Sequence, residues 1–119
     1  MDGYREQLRE LREPTTQLRE ALPAAWEGFT ALHREALAEG EVSAALKETV
    51  ALAISVVKRC DGCIAYHARG AARAGATPEQ VAEILGVALL MDGGTASVYG
   101  PKAWSAFQEF HTGAPGGGR

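Results

Sequence analysis

Apolar residues recur along this chain every three or four positions and almost never alternate singly with polar ones, so the pattern is helical throughout. Leu8, Leu11, Leu18 and Leu22 keep that spacing when Thr15 is counted in the stripe, which predicts an amphipathic helix over 4–21. Pro14 lies inside it and predicts a kink or a break. Pro23 suits the first turn of a second helix, 23–39, closed by Gly40 and anchored by Trp26 and Phe29. Ser43 is a good N-cap for a third helix, 44–59. Its Thr49-to-Val57 stretch is apolar or small nearly all round, which predicts the most buried element. Asp61-Gly62 turns the chain into a fourth helix, 62–74, ended by Gly75. Thr77-Pro78-Glu79-Gln80 reads as a capping box opening a fifth, 78–91, with Val81, Ile84, Leu85 and Ala88 facing the core. After the Asp92-Gly93-Gly94 turn comes a sixth, 95–111, with Trp104, Phe107 and Phe110 on its buried face and Gly100-Pro101 as a kink or restart. The expectation is an all-α fold of about six helices in one domain, 1–112, its first 21 residues forming a helical arm. The Gly/Pro-rich end, 113–119, is expected to be disordered.

Composition narrows what such a bundle can do. At 119 residues the core is modest, so association between copies is expected. Twelve Lys and Arg against fifteen Asp and Glu give a net charge of −3, which argues against nucleic acid as a partner. The opening Met-Asp-Gly-Tyr-Arg-Glu is charged and unlike a signal peptide, and the longest apolar run, Val50 to Val57, is too short to span a membrane. The expectation is a cytoplasmic protein without a membrane partner.

In a reducing compartment a Cys-x-x-Cys pair points to catalysis or metal binding before a structural staple. The only two cysteines are Cys60 and Cys63, and His67 follows one helical turn after Cys63. On a helix those three positions share a face, with neighbours about 5–6 Å apart. A helix N-terminus lowers a thiol's pKa, and His67 is placed to act first as base and then as imidazolium partner. Glu48, on the preceding helix, is placed to hold the imidazole or pass a proton. Two other readings stand beside redox chemistry. Zinc would take both thiolates, His67 and a fourth ligand such as Glu48, although structural zinc sites usually bring two separated pairs. In the plainest reading both cysteines are small buried residues beside a capping histidine. His33, without ligand-spaced companions, reads as a surface or rim residue, and Ser55 as a small residue that lets helices pack closely.

The pattern Glu48-x(6)-Ser55-x(4)-Cys60-x(2)-Cys63-x(3)-His67 resembles the signature of the AhpD-like alkylhydroperoxidases in the carboxymuconolactone decarboxylase superfamily. Gly75-Ala76-Thr77-Pro78-Glu79-Gln80, then Leu85-Gly86-Val87-Ala88 and Gly93-Gly94, is similar to that family's downstream pattern. The resemblance covers roughly 20–111. It implies an all-helical homo-oligomer, a hexamer for this short form, with trimers also found among relatives. It implies Cys63 as the attacking thiolate, Cys60 as the resolving thiol, and His67 and Glu48 as proton relay. The implied activity is a thiol-dependent hydroperoxidase or disulfide reductase. It has no bound cofactor and is recharged by an external dithiol of the dihydrolipoyl type. Gly62 departs from the pattern, since the well-characterised peroxidases often carry His there. That difference bears on peroxidase potency and not on dithiol chemistry. The decarboxylase that names the superfamily lacks the cysteine pair, which argues against a lyase here.

Overall fold

The computed structural model describes residues 3–112, and the expected disorder of 113–119 concerns residues outside that range. The described chain is α1 Tyr4–Ala21, α2 Pro23–Ala36, α3 Ala44–Lys58, α4 Asp61–Ala74, α5 Pro78–Asp92, a 3₁₀ turn Gly93–Thr95, and α6 Ala96–His111. The all-α expectation holds, with boundaries within a few residues of the sequence reading. Caps explain the good matches. Ser43 Oγ accepts from Leu46 N, and Thr77 and Gln80 form the reciprocal capping box, each side chain bonded to the other's backbone N–H.

The centre of the molecule is the α3–α4 pair, crossed by α6 and flanked by α5. Leu52 and Val56 of α3 meet Ile64, Ala65, Ala68 and Ala71 of α4, and Phe107 of α6, all fully buried. Alanine dominates the α4 face, which lets the helix axes approach closely. Only one face of α3 is buried, however. Val50, Ile54 and Val57 are exposed and line an apolar groove with Ile84, Val87 and Met91 of α5. An all-round apolar helix was expected to be buried all round, and within a single chain it is not. Leu90 and Met91 are 80% and 77% exposed. The Pro78–His111 stretch, which α5, the 3₁₀ turn and α6 divide, passes a bilayer-spanning test of length and composition alone, which the short apolar runs did not suggest.

Three local expectations are corrected. Pro14 does not break α1, which runs on through it, and Pro101 likewise sits inside an unbroken α6. Both prolines are exposed, so the carbonyl each leaves without an N–H partner has water within reach. Trp26 and Phe29 do not anchor α2 in a core. That helix has no buried residue, and Phe29 is more than half exposed.

The arm α1 packs on its own domain through Tyr4 and Leu8. A device absent from the sequence reading fixes its start. The buried carboxylate of Glu109, on α6, accepts from the backbone N–H of Tyr4 (3.2 Å) and of Arg5 (3.1 Å), while Arg5 Nη2 donates to the Glu109 carbonyl (3.2 Å). A charge from a distant helix thus caps the first turn of α1. Burial, with Asp61, Glu109 and Tyr99 nearby, raises the Tyr4 phenol above its ordinary value.

Candidate active site

The site begins at the turn between α3 and α4. Arg59 ends α3 in the left-handed region, φ 54°, the conformation usually left to glycine. The turn closes by Cys60 N–H donating to Ser55 O (3.1 Å) and Arg59 N–H to Val56 O (3.1 Å). The Arg59 guanidinium holds it from outside, donating to Val57 O (2.7 Å) and Thr95 Oγ1 (2.8 Å) and lying 3.6 Å from Asp92 Oδ1. Ser55 is buried, its hydroxyl bonded to Ala51 O (2.7 Å), so it acts as a small packing residue.

Immediate reversal of the chain makes Cys60 the N-cap of α4. Its Sγ accepts from Cys63 N–H (3.2 Å). Both sulfurs therefore lie at the positive end of a helix, where negative charge is stabilised. They are bonded to each other, with S–S 2.10 Å and Cα–Cα 5.2 Å. Both residues are partly buried.

One turn further, His67 Nδ1 lies 2.8 Å from Glu48 Oε1, and both side chains are mostly buried, at 21% and 16% exposure. The pair is charge-assisted when the imidazole is protonated. When it is neutral, Nδ1–H donates and Nε2 is left as the basic atom. Glu48 is thus a paired carboxylate.

Five further residues shape this site, and spacing gave no sign that they belong to it. Gly70, one turn beyond His67, is the floor under Glu48. A Cβ there would overlap the carboxylate, so with any larger residue the acid must shift from its present place against the imidazole. His33, on α2, stacks on His67 with ring centroids 6.2 Å apart and planes 16° apart. It is an exposed rim residue as expected, but it is the rim of this site. Arg69 stacks over Tyr66 at 5.4 Å, and with Arg73 the three edge a pocket of about 380 Å³ that contains His33, Glu48 and His67. Among the described residues, no three His, Cys, Asp or Glu side chains converge as a metal-binding group.

A helical bundle carrying a Cys-x-x-Cys at a helix start, with a His–Glu pair one turn on, defines a small class of proteins. A model of the carboxymuconolactone decarboxylase family matches residues 23–110. A carboxymuconolactone decarboxylase family protein of Legionella pneumophila, solved in its apo form, superposes with a TM-score of 0.89 at 32% identity, covering 93% of this chain and 99% of that one. An uncharacterized protein of Cupriavidus necator is 38% identical over 100 residues, 84% of this chain and 88% of its own length. A further relative, an uncharacterized protein of the cox locus in Paracoccus denitrificans, is 36% identical over 83 residues, 70% of this chain and 75% of its own. The chain belongs to the carboxymuconolactone decarboxylase family, in its AhpD-like, Cys-x-x-Cys-containing form.

Proposed function

We propose that this protein is a dithiol oxidoreductase that reduces hydroperoxides or disulfides through Cys60 and Cys63. One observation carries the reading: both sulfurs sit at one helix start within bonding distance, one turn from a histidine held by a buried glutamate. In the reduced protein Cys63 is the attacking thiolate, favoured by the α4 N-terminus and by His67 as base. It attacks the distal oxygen of a hydroperoxide, so the S–O bond forms as the O–O bond breaks. The alkoxide leaves with a proton relayed from His67 and Glu48, giving the alcohol. Cys60 then attacks the Cys63 sulfenic acid, releasing water and closing the disulfide. An external dithiol of the dihydrolipoyl type supplies two electrons and two protons and restores the thiols.

We further propose that the working form is a homo-oligomer, the hexamer implied by the likeness of this short form to hexameric relatives. The supporting observation is the exposed apolar surface of α5 and the groove it forms with α3. The decisive experiment for the chemistry is titration of the reduced protein with cumene hydroperoxide while free thiols are counted. Both thiols of each chain should disappear, and Cys63→Ser should abolish the reaction. An unchanged thiol count would refute the mechanism.

A further inference from the structure

Beside the pocket of His67 and Glu48 lies a second cavity, of about 370 Å³, walled by Arg5, Arg9 and Arg12 of α1, Arg69 and Arg73 of α4, and Phe110 of α6. Five guanidinium groups around one concavity are unexpected in a chain of net charge −3. Two of them are answered: Arg9 by Glu6 at 2.9 Å, and Arg5 by the Glu109 carboxylate at 3.8 Å. Arg12, Arg69 and Arg73 have no carboxylate within ion-pairing distance among the described residues. Burial, then the neighbouring Arg73 and Arg12 cations, lower the Arg69 guanidinium from its ordinary value, opposed by Tyr66 and Glu48. Positive charge is concentrated here, and three of the five guanidinium groups have no ion-pair partner among the described residues, which suits a bound anion.

Arg69 and Arg73 line both cavities, so the two lie side by side along α4 with these arginines as their shared border. We propose that Arg12, Arg69 and Arg73 form an anion subsite that binds the carboxylate or phosphate group of the small-molecule substrate, whose reactive end lies over His67 and the cysteine pair. The anion site stands on its own geometry, while its assignment to the substrate rests on the dithiol chemistry proposed above. The forked guanidinium groups suit the planar carboxylate and the phosphate oxygens equally, and Tyr66 and Phe110 supply apolar walls for the body of the molecule.

The test uses the full-length protein. Inorganic pyrophosphate, titrated calorimetrically, should bind saturably with a Kd below about 5 mM. An Arg69→Gln/Arg73→Gln variant should lose that binding, whereas an Arg19→Gln/Lys102→Gln control with the same net charge should keep it. The reduced protein is then mixed with two aromatic disulfides, the dianion 5,5′-dithiobis(2-nitrobenzoate) and the neutral 2,2′-dithiodipyridine. In each case Cys63 displaces one aryl thiolate, Cys60 displaces Cys63's second aryl group, and two aryl thiols are released per protein disulfide formed. The arginine variant should react about tenfold more slowly with the dianion and within about twofold of wild type with the neutral reagent. Pyrophosphate should inhibit the first reaction saturably and leave the second alone. Absence of saturable pyrophosphate binding, or equal slowing with both disulfides, would overturn the proposal. Inertness toward both disulfides with pyrophosphate binding intact would instead dispose of the dithiol reading and, with it, of the substrate assignment, leaving an anion site.

Discussion

Gly70→Ala should show that the His67–Glu48 pair depends on a missing side chain. In an ordinary helix the change is favourable, because glycine costs about 0.8–1 kcal/mol relative to alanine. Here the new methyl would coincide with the Glu48 carboxyl group, so the acid must yield. If Glu48 stays, overpacking costs about 1–3 kcal/mol. If it rotates away, the charge-assisted bond to His67 is lost, at about 1.5–3 kcal/mol. The cheaper route outweighs or cancels the helical gain, leaving Gly70→Ala neutral to about 2 kcal/mol destabilising. In a Glu48→Ala background the obstacle is gone and only the helical gain remains, so the same change should stabilise by about 0.8–1 kcal/mol. Urea unfolding of the four oxidised proteins at one matched concentration measures both effects, and the coupling should be about 1–3 kcal/mol. Additivity within about 0.5 kcal/mol would refute the argument, because it would mean Gly70 and Glu48 do not share space. Where Glu48 rotates away, thiol loss with cumene hydroperoxide should slow in Gly70→Ala about as much as in Glu48→Ala; where it stays, the rate should match wild type.

Other consequences can be checked separately. Glu109→Ala should destabilise by about 1–3 kcal/mol, because two N–H groups of α1 lose a buried charged acceptor; a melting point within about 1 °C of wild type would discount the cap. Tyr4 holds its proton more tightly folded than unfolded, so its contribution is intact below the ordinary phenol value and is lost as pH rises through the raised one. Tyr4→Phe should therefore flatten the alkaline fall in stability measured by urea titrations above pH ~10; an identical slope would remove Tyr4 from that account. Leu90→Glu, at an 80% exposed position, should leave helix content unchanged by circular dichroism and lower the sedimentation coefficient of the proposed oligomer. An unaltered sedimentation coefficient would mean that α5 does not carry the contact. His67→Ala should move the alkylation of Cys63 by iodoacetamide to higher pH, and an unshifted profile would deny His67 its role as base.

Much of this molecule is written in local signals, and those were readable. Caps at Ser43 and Thr77, glycine at Gly75 and the apolar stripe of α5 each act within one turn of chain, so helix positions followed directly. Cys63 and His67 lie one turn apart on α4 and Cys60 is its N-cap, so their closeness in the chain was legible from spacing alone. Distance in sequence is what hid the rest. Glu109 lies 104 residues from Arg5, and nothing near either residue announces the bond between them. His33 has no companion at ligand spacing, because its partner His67 belongs to another helix. Gly70 reads as an ordinary glycine in an alanine-rich stretch until Glu48 is placed against it. The arginines lie on two helices far apart in sequence, and only the packing of α1 on α4 gathers them. Trp26 and Phe29 were misjudged for the opposite reason: an apolar residue announces that it is to be covered, without saying by which molecule.

An arginine where a hydrogen atom would have sufficed, at the end of α3, has a mechanical result. Its guanidinium spans from the backbone beside the sulfurs to Asp92 and Thr95, at the corner joining α5 to α6. Lifting the cysteine turn by itself would strip that group of its acceptors. The two corners are therefore tied together, and a displacement of the cysteine turn either carries the far corner along or breaks these contacts.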